Sequence, residues 1–253
     1  MQTNRKASED WSTQNIADFW DWQSQNDSRQ QGYFTAMVGR GILNFMKKHG
    51  LVKGKMLDYG CGSGHLLSIF SEEPGVELYG LDFSPDSIEE TKRKTEKSPA
   101  VKELRVIEKL PTSFKDGMFD TITFIETIEH LQNQMLKDTL DEIFRLLKPG
   151  GELLLTTPFN EELEKHMAFC PFCKAEYHHM QHMQSFNVES LSSVLTAQGF
   201  KIKYCRNINL DKFQAGKLKF SFRTKVRNFA MAAGIKHKIK IDPTPHLVAI
   251  ARK

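Results

Sequence analysis

Short apolar segments alternate along this chain with longer segments whose apolar residues recur at helical spacing. The short segments are typical of buried strands and lie at residues 55–60, 76–84, 103–108, 119–126, 151–158, 201–208 and 246–253. The segments with helical spacing lie at residues 65–72, 85–97, 135–148 and 189–200. Repeated alternation of strand and helix predicts an α/β fold, a seven-stranded, mostly parallel sheet with right-handed crossovers and flanking helices.

Three further segments lie outside this alternation. Residues 1–50 contain apolar side chains at helical spacing and predict an N-terminal helical cap before a domain of residues 51–253. Residues 159–187 follow the fifth strand and predict a lid insert. Residues 210–240 combine Lys and Arg with apolar residues at helical spacing, which predicts a basic amphipathic helix. We expect the cap and the lid to close over a substrate.

A glycine-rich turn follows the first predicted strand, in LDYGCGSGHLL. Gly60, Gly62 and Gly64 have the spacing GxGxG, and Asp58 lies on the strand just before them. Glycines let a backbone adopt positive φ and approach a ligand closely. Asp82 ends the second strand about 20 residues later, where a carboxylate accepts hydrogen bonds from ribose hydroxyls. The two strand ends therefore predict a nucleotide-like ligand at the carboxyl edge of the sheet.

Four motifs, in this order along the chain, together resemble the class I S-adenosylmethionine-dependent methyltransferases. They are LDYGCGSGHLL, YGLDFS, FDTITFIETIEHL and LLKPGGELLLTTP, and the resemblance covers about residues 50–210. It implies a Rossmann-like fold and S-adenosylmethionine as the cofactor. It also implies that the glycines approach the methionine part, that Asp58 faces its ammonium group, that Asp82 holds the ribose and that Phe83 lines the adenine. The full cofactor-binding set that we expect is Asp58, Gly60, Cys61, Gly62, Gly64, Asp82, Phe83, Ile107 and Glu126.

The fourth predicted strand runs directly into ionisable residues, in FIETIEHL. By the same resemblance, the loop after this strand faces the transferred methyl group, so Glu126, Glu129 and His130 would lie at the reaction site. His182, from the segment HHMQHMQSF, would join them. Carboxylates with imidazoles suit Mg²⁺, Mn²⁺ or Fe²⁺ more than a structural zinc. Three interpretations stay open: a divalent metal site, a metal-free base or substrate-binding group, and helix-capping residues.

The same residues resemble two groups of methyltransferases. The quinone-ring O-methyltransferases have an ExxEH-type loop and a following His. In the small-RNA 3′-end 2′-O-methyltransferases, two Glu and two His bind a divalent ion against terminal hydroxyls. The resemblance implies a metal set of Glu126, Glu129, His130 and His182, and catalytic roles for Glu129, His130 and His182.

A Cys/His pattern lies in the predicted lid. Cys170 and Cys173, with His178 and His182, read CxxC-x4-H-x3-H, which resembles a compact zinc knuckle. The segment also resembles a CPxC-containing insert that forms part of the substrate lid in some bacterial methyltransferases. One His cannot easily serve two metals, and we expect His182 to point into the active site. Cys170 and Cys173 would then form half of a zinc site or a lid turn with two reduced thiols.

Charge is distributed unevenly along the chain. Residues 201–253 hold 14 Lys and Arg against two Asp, whereas residues 1–200 hold 21 basic and 29 acidic residues. A basic C-terminal part favours an acidic substrate, an anionic membrane surface or an RNA backbone as a partner. Equally, the apolar face of the predicted helix at residues 210–240 could pack against its own domain.

No apolar run in the sequence approaches the ~18 residues that span a bilayer, and the N-terminus is polar. We therefore expect a cytoplasmic protein, with peripheral membrane contact as an alternative.

These patterns predict an S-adenosylmethionine-dependent methyltransferase. The acceptor that we expect is a hydroxyl on a small or lipid-like molecule, with a divalent metal as an aid. An RNA ribose 2′-O-methyltransferase is the first alternative, since it would use the same Glu and His residues and the basic C-terminal part. A non-catalytic cofactor-binding protein on the same fold is the second alternative.

Overall fold

A computed structural model describes Trp11 and residues 13–25, 32–214 and 246–253. The helices are α1 (Thr13–Ser24), α2 (Phe34–Lys48), α3 (His65–Phe70), α4 (Pro85–Thr95), α5 (Asn133–Leu146) and α6 (Val188–Ala197). The strands are β1 (Gly54–Tyr59), β2 (Val76–Asp82), β3 (Val101–Val106), β4 (Phe119–Ile125), β5 (Leu147–Pro158), β6 (Met167–Phe169), β7 (Glu176–His178), β8 (Lys201–Ile208) and β9 (His246–Arg252). Short 3-10 turns occur at Ile128–His130, Leu163–His166 and Leu210–Phe213.

The described residues form a seven-stranded sheet in the order β3-β2-β1-β4-β5-β9-β8. β1 pairs in parallel with β2 and β4, β4 pairs in parallel with β5, and β9 runs antiparallel to β5 and β8. Strands β1 to β3 follow one another from the centre of the sheet to one edge, and β4 then lies on the other side of β1. The predicted fold class is therefore confirmed, and the reversal of strand order lies between β1 and β4, where ligands bind in open sheets.

Helices cover both faces of the sheet. The central strands β1, β2 and β4 are buried over most of their length, as expected for parallel strands that are covered on both sides. One apolar core lies between the sheet and helices α5 and α6, and it includes Leu140, Ile143, Leu191 and Leu195. The other lies between the sheet and helices α2, α3 and α4. Burial of these side chains fixes the register of the strands, so it also fixes which residues reach the carboxyl edge.

The two N-terminal helices have different places in the fold. Helix α2 belongs to the second core, where Ile42, Phe45 and Met46 are buried. Helix α1 lies instead at the carboxyl edge of the sheet, since Ser84 Oγ donates a hydrogen bond of 2.5 Å to Asp21 Oδ1. Helix α1 is thus a part of the predicted 1–50 cap that lies at the carboxyl edge of the sheet.

The predicted lid of residues 159–187 contains a 3-10 turn and the β6–β7 hairpin. Its two ends are joined, because the Asn160 N–H donates to the Phe186 carbonyl at 2.8 Å. Of residues 210–240, which are predicted to form a basic amphipathic helix, the structure describes the 3-10 turn Leu210–Phe213 and Gln214. Residues 215–245 lie outside the described part, so this helix stays a prediction. Within the described residues, no helix has both the length and the apolar character needed to cross a membrane.

Candidate active site

The glycine turn after β1 is shaped for close approach of a ligand. Gly60, Gly62 and Gly64 have φ angles of 77°, 51° and 75°, in the left-handed region that favours glycine. A Cβ at Gly60 would meet Thr127 Oγ1 at 2.8 Å, which ties this turn to the loop after β4. At Gly62, no atom of the described residues lies within 4 Å of a Cβ position. The backbone at Gly62 therefore faces open space at the carboxyl edge.

Asp82 lies opposite this turn, at the end of β2. Its Oδ2 accepts a hydrogen bond from the Gly62 N–H at 2.8 Å, and its Oδ1 accepts one from the Ser84 N–H at 2.9 Å. Burial raises the pKa of Asp82 to about 6, although the backbone donors at Ser84 and Gly62 act in the opposite direction. The carboxylate thus stabilises the turn and remains an acceptor for ligand hydroxyls.

Asp58 lies deeper, on β1, and is almost fully buried. Thr123, its neighbour on β4, donates a side-chain hydrogen bond to Asp58 Oδ1 at 2.7 Å. Burial raises the pKa of Asp58 to about 7, and the hydrogen bond from Thr123 offsets only part of this effect. A cationic ligand group would favour the ionised carboxylate at this position. We call Asp58, Asp82 and residues 60–64 the glycine-turn site.

Three other predicted cofactor residues lie along the same edge. The Ile107 N–H donates to the Asp82 carbonyl at 2.7 Å, and the Cys61 N–H donates to the Leu81 carbonyl at 2.9 Å. Ile107 and the Cys61 thiol are buried, and burial raises the pKa of that thiol well above its ordinary value. Phe83 is partly buried against the core next to Asp82. The backbone of β2 and of the loop after β3 therefore lines the edge beside Asp82.

Glu126 occupies a sharp turn at the end of β4. Its φ of 45° is unusual for a residue with a side chain. Its Oε1 accepts a hydrogen bond from Thr156 Oγ1 at 2.7 Å, and its Oε2 lies 3.1 Å from His246 Nδ1. These contacts direct Glu126 toward β5 and β9. The structure therefore leaves Glu126 outside the group formed by the other predicted metal ligands.

Glu129 is 1% exposed, in the 3-10 turn after β4. Its Oε2 accepts a hydrogen bond from Thr157 Oγ1 at 3.0 Å. Within the described residues, its Oε1 has no hydrogen-bond partner and lies 4.0 Å from His130 Nε2. Burial, and then the nearby charge of Glu126, raise the pKa of Glu129 well above its ordinary value. A buried carboxylate oxygen without a donor costs stability unless a ligand pairs with it.

His130 is buried between α1 and the lid. Its Nδ1 lies 3.3 Å from the Gln181 carbonyl, and its ring contacts the Trp20 ring at a centroid distance of 4.8 Å. Burial, and then the proximity of His182, lower the pKa of His130 to about 3. The neutral ring donates from Nδ1 to the carbonyl, which leaves the lone pair on Nε2, the atom nearest Glu129.

The lid brings His182 to the same place. Its ring centroid lies 4.9 Å from that of His130, and the ligand atoms of Glu129, His130 and His182 all lie within 4.8 Å of one another. The Met183 N–H donates to the Glu129 carbonyl at 2.8 Å, which fixes the lid against the loop after β4. We call Glu129, His130 and His182 the Glu/His cluster. One carboxylate and two imidazoles fit a divalent transition metal, and the unpartnered Glu129 Oε1 provides a ligand atom for it.

Several residues at this site were missed by the sequence patterns. Glu161 Oε2 lies 2.5 Å from His182 Nδ1, and its Oε1 lies 3.4 Å from His178 Nε2. Burial acts to raise the pKa of Glu161, but the hydrogen bond with His182 and the nearby imidazoles outweigh it and hold that pKa below its ordinary value. Trp20 Nε1 donates to Gln181 Oε1 at 3.0 Å. No spacing rule singles out Glu161 within NEELEKH. Trp20 could have been found, because it is an aromatic side chain on the predicted cap.

The two lid cysteines are placed apart from these histidines. Cys170 and Cys173 lie in the turn between β6 and β7, and hydrogen bonds from Cys173 lower the pKa of the Cys170 thiol. His178 and His182 contact Glu161 instead of the thiols. Among the described residues, no group of three metal-ligating side chains includes either cysteine. The predicted CxxC zinc site therefore gains no further ligand from the described residues, and its metal stays a prediction.

A family model described as a methyltransferase domain matches residues 28–204 of this chain. The ubiquinone biosynthesis O-methyltransferase of Psychrobacter cryohalolentis is 32% identical over 112 residues, which cover 43% of this chain and 42% of that protein. Phosphoethanolamine N-methyltransferase 1 of Zea mays is 29% identical over 126 residues, which cover 49% of this chain and 25% of that protein. The matched segments thus span less than half of the length of either relative.

Solved structures share the fold at low identity. The 1,6-didemethyltoxoflavin-N1-methyltransferase of Burkholderia thailandensis, with bound S-adenosylhomocysteine, has a TM-score of 0.62 at 14% identity, over 96% of this chain and 91% of that one. The [4+2]-cyclase SpnF has a TM-score of 0.63 at 18% identity, over 96% and 97%. A methyltransferase and a cyclase thus share this architecture, so the fold alone does not decide the reaction.

Proposed function

We propose that this chain, which belongs to the methyltransferase domain family, is an S-adenosylmethionine-dependent enzyme that methylates a hydroxyl group of a small or lipid-like molecule. The observation that carries the proposal is the Glu/His cluster, which lies at the end of β4 beside the glycine-turn site. These two sites are linked through Thr127, which packs against Gly60.

The glycine-turn site would hold the cofactor. The open backbone at Gly62 admits its methionine part, the buried carboxylate of Asp58 faces its ammonium group, and Asp82 accepts hydrogen bonds from its ribose. Phe83 and Ile107 would line the adenine. S-adenosylmethionine, when bound, provides a methyl group on a sulfonium for in-line displacement by the acceptor oxygen, so that the C–O bond forms as the C–S bond breaks.

The Glu/His cluster would prepare the acceptor hydroxyl. Glu129, His130 and His182 fit a divalent cation such as Mn²⁺ or Mg²⁺, which would act as a Lewis acid and lower the pKa of a hydroxyl. The low pKa of His130 keeps its ring neutral and its Nε2 available as a ligand. Without a metal, the imidazole of His182 would accept the hydroxyl proton as a general base, because a pKa of about 3 makes the ring of His130 a weak base.

The surroundings of the cluster favour an aromatic or apolar acceptor. A series of ring contacts runs from Trp11 through Phe19 and Trp20 to Tyr33, and Trp11 also contacts Tyr177 in the lid. Trp20 packs against His130, so this aromatic series reaches the cluster itself. Aromatic side chains supply much apolar contact area, which suits a quinol, a catechol or a lipid-like ring better than a free sugar.

The test is methyl transfer by chelator-treated protein to a panel of catechols, quinols, amines and short RNA ends, with product detection by mass spectrometry. We expect methyl ethers from the phenolic acceptors, with activity restored by added Mn²⁺. Equal activity without metal would replace metal assistance by the general-base mechanism. Products formed only from amines, or only from RNA ends, would show that the proposed acceptor class is wrong.

A further inference from the structure

His178 is held in one tautomer by the backbone of the lid. The ring is 1% exposed, at the end of β7. Its Nδ1 accepts hydrogen bonds from the Met180 N–H at 3.3 Å and the His182 N–H at 3.1 Å. A nitrogen that accepts hydrogen bonds from two N–H groups carries no proton, so Nδ1 of His178 is unprotonated. The single ring proton of His178 therefore lies on Nε2.

This Nε2–H faces Glu161. The distance from His178 Nε2 to Glu161 Oε1 is 3.4 Å, outside hydrogen-bond geometry but close enough for an electrostatic contact. The other carboxylate oxygen, Oε2, lies 2.5 Å from His182 Nδ1. An ionised carboxylate is only an acceptor, so His182 must carry a proton on Nδ1. In a neutral His182, the lone pair is then on Nε2.

Glu161, His178 and His182 lie close enough together to form a second metal site, because their ligand atoms are all within 4.8 Å of one another. Protonation excludes this interpretation. The lone pair of His178 is used by two backbone N–H groups, and its other nitrogen carries the proton. A metal here would require loss of that proton or of both backbone hydrogen bonds. These three residues are better described as a series of polar contacts, in which His178 Nε2–H faces one oxygen of Glu161 and His182 Nδ1–H donates to the other.

We propose that Glu161, oriented by His178, is a positioning residue that fixes His182 as the Nδ1–H tautomer and so makes its Nε2 lone pair available to the Glu/His cluster. The proposal rests on the proposed function, in which His182 binds a metal or accepts a proton. A carboxylate that fixes the tautomer of a ligating histidine in this way generally raises metal affinity. The lid would therefore contribute a histidine that is already prepared for its role.

The first test is the side-chain ¹⁵N NMR spectrum of metal-free protein with ¹⁵N-labelled histidine. We expect His182 to show a protonated Nδ1 and an unprotonated Nε2. In Glu161→Gln, the amide oxygen should turn to the fixed Nε2–H of His178 and the amide NH₂ to His182, which would move the His182 proton to Nε2. Glu162→Gln is the matched control, since Glu162 pairs with Lys165 at the surface.

The second test is titration of Mn²⁺ into protein loaded with S-adenosylhomocysteine. Glu161→Gln should weaken Mn²⁺ binding roughly 10- to 100-fold, whereas Glu162→Gln should leave it unchanged. An Nε2–H tautomer of His182 in the wild type, or the same tautomer in both wild type and Glu161→Gln, would overturn the proposal. The wild-type spectrum alone tests the tautomer of His182, even if the Glu161→Gln variant folds poorly. Absence of Mn²⁺ binding in the wild type would instead count against metal assistance, with the tautomer result unaffected.

Discussion

The glycine-turn site and the Glu/His cluster lie at the same edge of the sheet, but they are held in different ways. In the glycine-turn site, Asp82 accepts hydrogen bonds from two backbone N–H groups, one of them within the turn itself. In the Glu/His cluster, Glu129 is more deeply buried than Asp82, yet its Oε1 has no donor among the described residues. One site is therefore nearly complete without a ligand, and the other has an unsatisfied group where a ligand would bind.

The unpaired oxygen of Glu129 marks a position at which the fold is less stable until a ligand binds. A buried carboxylate with an unpaired oxygen destabilises the fold, and a partner that pairs with it recovers that free energy. Asp58 is intermediate, because Thr123 gives it one hydrogen bond while burial still raises its pKa to about 7. Substitutions that remove each charge should therefore separate residues that maintain the fold from those that bind or react.

The largest effect is expected for Glu129→Gln. The amide keeps the shape of the side chain but removes the charge that would hold a divalent cation or activate a hydroxyl. We expect the methyl-transfer rate to fall by roughly 100-fold or more, with Mn²⁺ binding lost. Titration calorimetry and single-turnover product analysis would measure these changes. Glu126→Gln is the control, because Glu126 contacts Thr156 and His246 outside the cluster; a larger loss there would restore Glu126 as a metal ligand.

Asp58→Asn should separate binding from stability in the glycine-turn site. We expect affinity for S-adenosylhomocysteine to fall roughly 10- to 100-fold, because the charge opposite the ammonium group is lost. The free energy of unfolding should rise at pH 8 by roughly 2 to 4 kcal/mol, since the wild-type pKa of Asp58 is about 7 in the folded protein and near its ordinary value when unfolded. Thermal unfolding at pH 8 and at pH 4 checks this, and the gain should vanish at pH 4.

The same carboxylate predicts a pH dependence of cofactor binding. In the free protein Asp58 is half protonated at about pH 7, and an ammonium group favours the ionised form. Affinity for S-adenosylhomocysteine should therefore decrease as pH falls below 7, by at most about tenfold per pH unit, and level off above pH 8. Calorimetry between pH 5.5 and 8.5 measures it. A flat profile, or the same slope in Asp58→Asn, would show that Asp58 does not face the ammonium group.

The smallest effect is expected for Trp20→Phe, which keeps an aromatic ring but removes the hydrogen bond to Gln181 Oε1. This bond joins α1 to the lid and is worth about 1 kcal/mol. We expect KM for the acceptor to rise roughly two- to fivefold, with affinity for S-adenosylhomocysteine unchanged. Steady-state kinetics with an acceptor identified by the methyl-transfer test would measure this KM. Trp22→Phe is the control, since Trp22 is 54% exposed on the same helix, and equal effects of both changes would remove the special role of Trp20.

The glycine-turn site was accessible from sequence because short stretches of chain encode it. Gly60, Gly62 and Gly64 adopt the positive φ that only glycine tolerates easily, and Asp82 is the residue at which β2 ends. The alternation of apolar and amphipathic segments likewise predicted every strand of the large sheet to within a few residues. Such features depend on neighbours in sequence and on the burial of continuous apolar runs.

The Glu/His cluster was accessible only in part. The motif FIETIEHL indicated ionisable residues at a strand end, but the tertiary structure turned Glu126 toward His246, 120 residues away, and left Glu129 and His130 in the cluster. The sequence also suggested that His178 pairs with the lid cysteines, whereas the fold placed it against Glu161. Helical spacing could not predict these directions, because hydrogen bonds from β5, β9 and the lid decide them.

The sequence by itself thus determined the α/β architecture, the methyltransferase family and the position of the glycine-turn site, because local backbone preferences and apolar periodicity specify them. Only the tertiary structure decided which carboxylates and imidazoles meet, which hydrogen-bond partners the ring nitrogens have and how the lid contacts α1. Those properties arise from contacts between residues such as Trp20 and Gln181, or His130 and His182, that are far apart in the chain. Packing of the whole domain brings them together, and no periodicity in the sequence encodes that.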